Sequence, residues 1–213
     1  MTEAASRREH WEHVFATRAP HEVSWYQATP ETSLALIRAA EPVPGATVVD
    51  VGGGASAVVD GLLAMGLAPT VLDISAGALE AAKARLGGRA ADVEWVVADI
   101  TDWQPPRTYA VWHDRAAFHF LIDEADRRKY RAVLERAVDA GGHAIIATFA
   151  PDGPETCSGL PVRRHSAADI AALLGPDFEL LADEREQHLT PWGKPQMFQW
   201  TLFRRRTHAE DEA

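Results

Sequence analysis

Apolar residues along this chain fall in short β-branched runs separated by stretches of helical spacing. Ala46–Val51 (ATVVDV) is one such run, ending at glycines, and it predicts a strand buried on both faces. Val58, Val59, Leu62 and Leu63 then recur at helical spacing, and Gly66 is expected to end that helix. Pro69–Asp73 (PTVLD) predicts a second strand. Ser75 stands where it can cap the next helix, with Leu79, Ala82 and Leu86 inward and Gly87 just past its end. Val93–Asp99 and Tyr109–Asp114 predict a third and a fourth strand. Tyr130, Val133, Leu134, Ala137 and Val138 stripe a further helix that Gly141 and Gly142 are expected to stop, before a fifth strand at His143–Ala150. Strands alternating with helices in this way imply right-handed crossovers and a parallel sheet.

The end of the chain has a different rhythm. After a short helix at Ser166–Leu174 come FELLADEREQHLT and QMFQWTLFRR, separated by the turn signal PWGKP. Two strands joined by a turn predict an antiparallel hairpin at one sheet edge. No repeat, low-complexity block or linker interrupts the chain, so residues 1–213 read as one domain. Within it, 1–40 is an N-terminal lid or helical segment, 41–205 the core and 206–213 a tail. Disorder is expected before about Arg7 and in the tail THAEDEA.

Composition narrows the function classes. The net charge is -10, which disfavours binding to phosphate backbones. Arg204–Arg206 and the pair Arg127 and Arg128 read as solvated charge. AIIATFA (144–150) is too short to span a membrane, and the N-terminus has no apolar signal region. The single cysteine, Cys157, cannot form an internal disulfide. These features lead us to expect a cytoplasmic protein.

Chemistry concentrates first at VVDVGGGASA (48–57). Gly52, Gly54 and Ala57 fit the dinucleotide pattern G-x-G-x-x-G/A, a weak signal alone. Three features argue against NAD. Asp50 stands two places before the first glycine, where a carboxylate would repel a pyrophosphate but attract an amino group and a sulfonium. The sheet closes with a hairpin and does not repeat its parallel half. Asp99, ending the third strand, can offer a carboxylate to an adenine amino group, with Ile100 against the ring. Asp73, about 20 residues past the glycines, can accept ribose hydroxyls, a feature that serves either cofactor.

With D-V-G-G-G at Asp50–Gly54, D-I at Asp73 and Ile74, and A-D-I at Ala98–Ile100, the chain resembles the class I S-adenosylmethionine-dependent methyltransferases. Ser56 stands where that family often has a third glycine. The resemblance implies an α/β, Rossmann-like seven-stranded sheet of order 3-2-1-4-5-7-6, with helices on both faces and an antiparallel terminal hairpin. It implies S-adenosyl-L-methionine as cofactor. Asp50, Gly52, Gly53 and Gly54 would hold its methionine end, Asp73 the ribose, and Asp99 and Ile100 the adenine, with Ile74 also at the cofactor. WYQATPE (25–31) and WHDRAAFHFL (112–121) resemble a bacterial subgroup of small-molecule methyltransferases, loosely like the thiopurine and trans-aconitate enzymes.

The reaction implied is in-line displacement on a sulfonium, with a base needed only if the acceptor must lose a proton. Asp114 and His119 are the candidate catalytic groups. Each has a plainer alternative: Asp114 as a cap for the segment after it, His119 as a hydrogen-bonded core residue. Trp25 and His113 are expected at the cofactor, and Trp11, Tyr26, Arg115, Phe118 and His188 at a small-molecule acceptor. Trp25 and Tyr26 would lie on a lid that covers a cation with its aromatic faces. The histidines and Cys157 lack metal-ligand spacing, so no metal is expected. Three rival readings stay open: a protein lysine methyltransferase of the same fold, an NAD-dependent oxidoreductase, and a non-catalytic cofactor-binding protein.

Overall fold

The computed structural model describes residues 3–207. The expected disorder of the tail falls on 208–213, outside the described residues. At the other end a helix α1 spans Glu3–Thr17, against the expectation from residue 3 onward, and residues 1–2 lie outside the described residues. Six strands follow the apolar runs closely: β1 (Thr47–Val51), β2 (Ala68–Asp73), β3 (Glu94–Val97), β4 (Tyr109–Arg115), β8 (Phe178–Leu189) and β9 (Pro195–Arg205). β5 (Val138–Phe149) starts earlier than expected. Gly141 and Gly142 do not stop the preceding helix, which ends at Ala137. They lie where the pairing of β4 with β5 shifts register, and Gly141 has φ +80°. A residue with a Cβ at 142 would crowd the Ala110 carbonyl oxygen at 3.0 Å, so these glycines serve a bulge. A small hairpin, β6 (Thr156–Cys157) with β7 (Leu160–Pro161), stands apart in the loop after β5.

The main sheet runs β3-β2-β1-β4-β5-β9-β8. Counted within that sheet alone, this is the expected order 3-2-1-4-5-7-6. Pairings are parallel through β5 and antiparallel at β9 and β8. β8 is the edge strand. Its exposed charges Asp183, Glu184 and Arg185 discourage further strand pairing.

Alternation along the strands sorts side chains to two faces. Val49, Val51, Trp112 and Ile146 pack against helices α5 (Glu124–Ala137) and α6 (Ala167–Leu174) through Tyr130, Leu134 and Ile170. Val48, Val111, Ile145 and Trp200 pack against α2 (Glu31–Ala39) and α3 (Val58–Ala64) through Leu34, Ile37 and Leu62. Ile37 is fully buried, and truncating it to alanine would cost about 2–5 kcal/mol. The last helix, α4 (Ala76–Leu86), is capped as expected: the Ala78 N–H donates to Ser75 Oγ at 3.1 Å. This frame holds the carboxyl ends of β1, β2 and β4 side by side, and α1 lies across them against α4.

Candidate active site

The glycine loop after β1 is shaped by close approaches. Gly52 has φ +67°, and a Cβ there would meet the Ala117 Cβ at 2.6 Å. Gly54 has φ +47°, and its Cβ would stand 3.0 Å from Asp73 Oδ2. A Cβ on Gly53 would press on Asp50 Oδ2 at 2.5 Å. Larger residues would therefore strain the backbone or push aside the groups beneath it.

Beside this loop opens a cavity of about 120 Å³. Its floor includes Gly52, Asp73, Ile74, Asp99 and Ile100, from the loops that follow β1, β2 and β3. Arg115, Ala116, Ala117 and Phe120 come from the end of β4 and the turn after it. Trp11 and Phe15 come from α1, and Trp25 from the segment that follows it. Trp11 stands edge-on to Trp25 at 5.7 Å and to Phe120 at 5.0 Å, so three elements share one aromatic wall.

Six expected cofactor residues thus line one cavity: Trp25, Gly52, Asp73, Ile74, Asp99 and Ile100. Trp11 and Arg115 join them from the expected acceptor set. Asp73 is nearly inaccessible, and its Oδ1 accepts from the Ser75 N–H at 2.8 Å. Burial pushes its carboxyl up to about 7, against the lowering effect of that hydrogen bond. The Asp99 Oδ1 accepts from the Thr101 N–H and hydroxyl, at 2.9 and 2.8 Å. The Asp99 Oδ2 takes the Arg7 guanidinium at 2.9 Å.

Four expected cofactor residues do not line the cavity. Gly53 and Gly54 shape its loop from behind. Asp50 and His113 belong to a buried relay: Asp50 Oδ1 lies 2.7 Å from His113 Nδ1, and His113 Nε2 lies 3.0 Å from Ser33 Oγ. Asp–His–Ser connectivity has the form of a nucleophilic triad, but Ser33 is fully buried in α2 and does not line this cavity. The relay ties β1, β4 and α2 together. Asp50 sits beneath the loop, its Oδ2 against Gly53 and without a hydrogen-bond partner among the described residues.

Both candidate catalytic groups take their plainer alternatives. Asp114 is wholly buried: Oδ1 accepts from the Ala117 N–H at 2.9 Å, and Oδ2 from the Tyr130 hydroxyl at 2.8 Å. It caps the turn after β4 and anchors α5. His119 is equally buried among Phe120 and Phe149, and its Nδ1 accepts from the Phe149 N–H at 3.4 Å. Burial drives its pKa down to about 3, so it is neutral at physiological pH. Neither lines the cavity. Three expected acceptor residues also stand elsewhere. Phe118 stacks on His165 in the core, His188 Nε2 donates to the Ser24 carbonyl at 2.7 Å, and Tyr26 faces outward.

Sequence reasoning missed Arg7, Phe15 and Phe120, and of α1 it named Trp11 alone. Arg7 bridges Asp99 and Asp126, the latter at 2.6 Å. Glu12 sits on the N-terminus of α4, accepting from the Ala76 N–H at 2.7 Å and the Ser75 hydroxyl at 2.9 Å. Burial would raise the Glu12 pKa, but these donors outweigh it and hold the carboxylate below its ordinary range. No group of three or more metal-ligating side chains occurs among the described residues.

Comparison with known proteins agrees with this geometry. Residues 48–142 match the family model described as a methyltransferase domain. No curated protein matches the chain. Among solved structures, it is similar to an S-adenosylmethionine-dependent methyltransferase from Anabaena variabilis. The TM-score is 0.73 and the identity 18%, over 96% of that chain and 97% of this one. It is also similar to the 1,6-didemethyltoxoflavin-N1-methyltransferase of Burkholderia thailandensis, solved with 1,6-didemethyltoxoflavin and S-adenosylhomocysteine. There the TM-score is 0.71 and the identity 18%, over 89% of that chain and 96% of this one. An N-methyltransferase from Bradyrhizobium japonicum gives a TM-score of 0.71 at 16% identity, over all of that chain and 97% of this one. Residues 48–142 thus match the methyltransferase domain model, within a chain that shares the fold of these S-adenosylmethionine-dependent methyltransferase structures.

Proposed function

We propose that the protein transfers a methyl group from S-adenosylmethionine to a small-molecule acceptor. One observation carries this reading: Asp73, Asp99 and the Gly52 turn converge on a single cavity at the carboxyl ends of the parallel strands. The residues present fit the cofactor. Asp73 would accept the ribose hydroxyls with Ile74 beside it, Asp99 and Ile100 would hold the adenine, and Gly52 would let the backbone approach the methionine end. When bound, the cofactor supplies a sulfonium methyl that an acceptor atom can displace in line. Trp11, Phe15, Trp25 and Phe120 would exclude water and present aromatic faces to the positive charge. With Asp73 given to the ribose and Asp99 bonded to Arg7 and Thr101, no other carboxylate or histidine among the described residues lines the cavity wall, which favours catalysis by proximity and alignment.

The cavity is smaller than the roughly 300–1,000 Å³ of typical ligand sites. Trp11 and Phe15 of α1 and Trp25 after it cover this cavity, and this supports a lid role for the N-terminal segment, within a single domain spanning the chain. The covered cavity favours a small acceptor over a protein lysine, and the 1,6-didemethyltoxoflavin bound to the Burkholderia relative is likewise small. No described helix is long and apolar enough to cross a membrane. Together with the single buried cysteine, this supports a cytoplasmic setting.

Calorimetric titration with S-adenosylhomocysteine and, separately, with NADH tests the reading. Binding of the first alone is expected. Binding of NADH alone would redirect the site to hydride transfer. If the first binds but no small acceptor is ever methylated, the non-catalytic reading takes over.

A further inference from the structure

Two cations line the cavity, and the fold treats them differently. Arg7 is matched to Asp99 and Asp126. Arg115 has no carboxylate partner among the described residues. Its Nη1 donates to the Trp25 carbonyl at 3.0 Å, and its guanidinium lies over the Phe198 ring, 4.8 Å from the centroid. Its Nε and Nη2 are shut off from solvent and have no hydrogen-bond partner among the described residues. The acid whose charge acts most on it, Glu186, is engaged elsewhere: the Trp200 indole donates to one oxygen at 2.7 Å and the Gln27 amide to the other.

The position of the two idle nitrogens is informative. Nε and Nη2 share one edge of the planar guanidinium, the edge that grips a carboxylate through two parallel hydrogen bonds. Burial lowers the Arg115 pKa to about 10, which leaves it charged at neutral pH. A charged edge withdrawn from water without an acceptor is costly, and such groups call for an explanation. Glu186 and Asp50 act on Arg115 through their charge, but no carboxylate among the described residues bonds this edge. Burial pushes the nearby Cys157 thiol up to about 11, so it stays protonated, and Trp25 and Phe120 are apolar and flat.

We propose that the Nε/Nη2 edge of Arg115 binds a carboxylate entering this cavity, so that Arg115 selects a carboxylate-bearing ligand. Under the methyltransferase reading on which this rests, two molecules could bring that group: the cofactor, through its amino-acid end, and an acidic acceptor. Either would complete a gradient along the cavity, with acids at the adenosine end and a cation at the other.

The test titrates wild type, Arg115→Gln and Arg115→Lys with four probes. S-adenosylhomocysteine carries the amino-acid end and 5′-methylthioadenosine lacks it. Benzoate is a flat carboxylate and benzamide its neutral counterpart, and both are added to free and to S-adenosylhomocysteine-saturated protein. If the cofactor is the source, Arg115→Gln weakens S-adenosylhomocysteine by about tenfold or more and leaves methylthioadenosine within about twofold. If the acceptor is the source, both nucleosides bind as before. Benzoate but not benzamide then binds the saturated wild type, and Arg115→Gln abolishes that binding. Arg115→Lys keeps the charge but not the edge, so it shows the same losses in milder form and replaces the glutamine variant if that fails to fold. Equal weakening of both nucleosides would make Arg115 structural and overturn the proposal, as would no change with any probe. If wild type binds neither nucleoside, the methyltransferase reading fails on its own. Benzoate binding to the free protein, lost in Arg115→Gln, would still support the carboxylate site, and its absence would overturn it.

Discussion

A carboxyl group buried beside a glycine turn should make ligand binding depend on pH. Asp73 titrates near pH 7 because burial disfavours its charge. Ribose hydroxyls donate hydrogen bonds and so prefer the ionised form. Affinity for S-adenosylhomocysteine should therefore rise with pH and level off above 7, being about tenfold weaker at pH 6 than at pH 8. Asp73→Asn should flatten this profile, which calorimetry across that range would check. Folding moves the opposite way. With the folded pKa raised from 3.8, Asp73 contributes stability that is full below the unfolded value and is lost as pH rises through about 7. Asp114 is the contrasting residue, buried but away from the cavity. Asp114→Ala would strand the Tyr130 hydroxyl and the Ala117 and Phe118 amides, costing about 3 kcal/mol or more. We expect a Tm lower by roughly 5–10 °C, with ligand affinity of the folded protein within about twofold. Unchanged Tm with lost activity would instead restore Asp114 as a catalytic group.

At the scale of elements, α1 is held from outside by polar contacts rather than by a buried stripe. Val14 is its sole buried residue among those described. Glu12 caps α4, and Arg7 reaches Asp99 and Asp126. Glu12→Ala should cost about 1 kcal/mol at the α4 terminus. Hydrogen exchange of α1 amides should speed up several-fold while β1, β4 and β5 keep their protection. Uniform loss of protection would mean that α1 is part of the cooperative core. The same contacts explain what the sequence concealed. Parallel strands buried on both faces read as continuous apolar runs, so β1, β2 and β4 were legible, as were Asp73 and Asp99 at strand ends. α1 has no apolar stripe, and its anchors are 63 to 119 residues away in the chain, beyond any local pattern. Asp114 and Arg115 are adjacent in sequence, yet β4 sends the first towards α5 and the second into the cavity. Residue type alone could not choose between them.

For the whole molecule, these contacts divide the labour between a sheet and helices that enclose the core and a cover that completes the site. Seven strands and five helices enclose the core, whereas α1 adds one buried side chain and three cavity residues: Arg7, Trp11 and Phe15. Removing residues 1–18 should leave a folded protein whose circular dichroism loses about one helix and whose Tm falls by only a few degrees. Affinity for S-adenosylhomocysteine should nevertheless fall by at least about tenfold, since an aromatic wall and its exclusion of water go together. If the truncated chain unfolds, α1 belongs to the core and the small cavity is not a closed lid. If it folds and binds as tightly as the full chain, the aromatic wall contributes nothing to the cofactor. Trp11 and Phe15 would then face only the acceptor, and the Arg115 carboxylate site would lie open to solvent on that side.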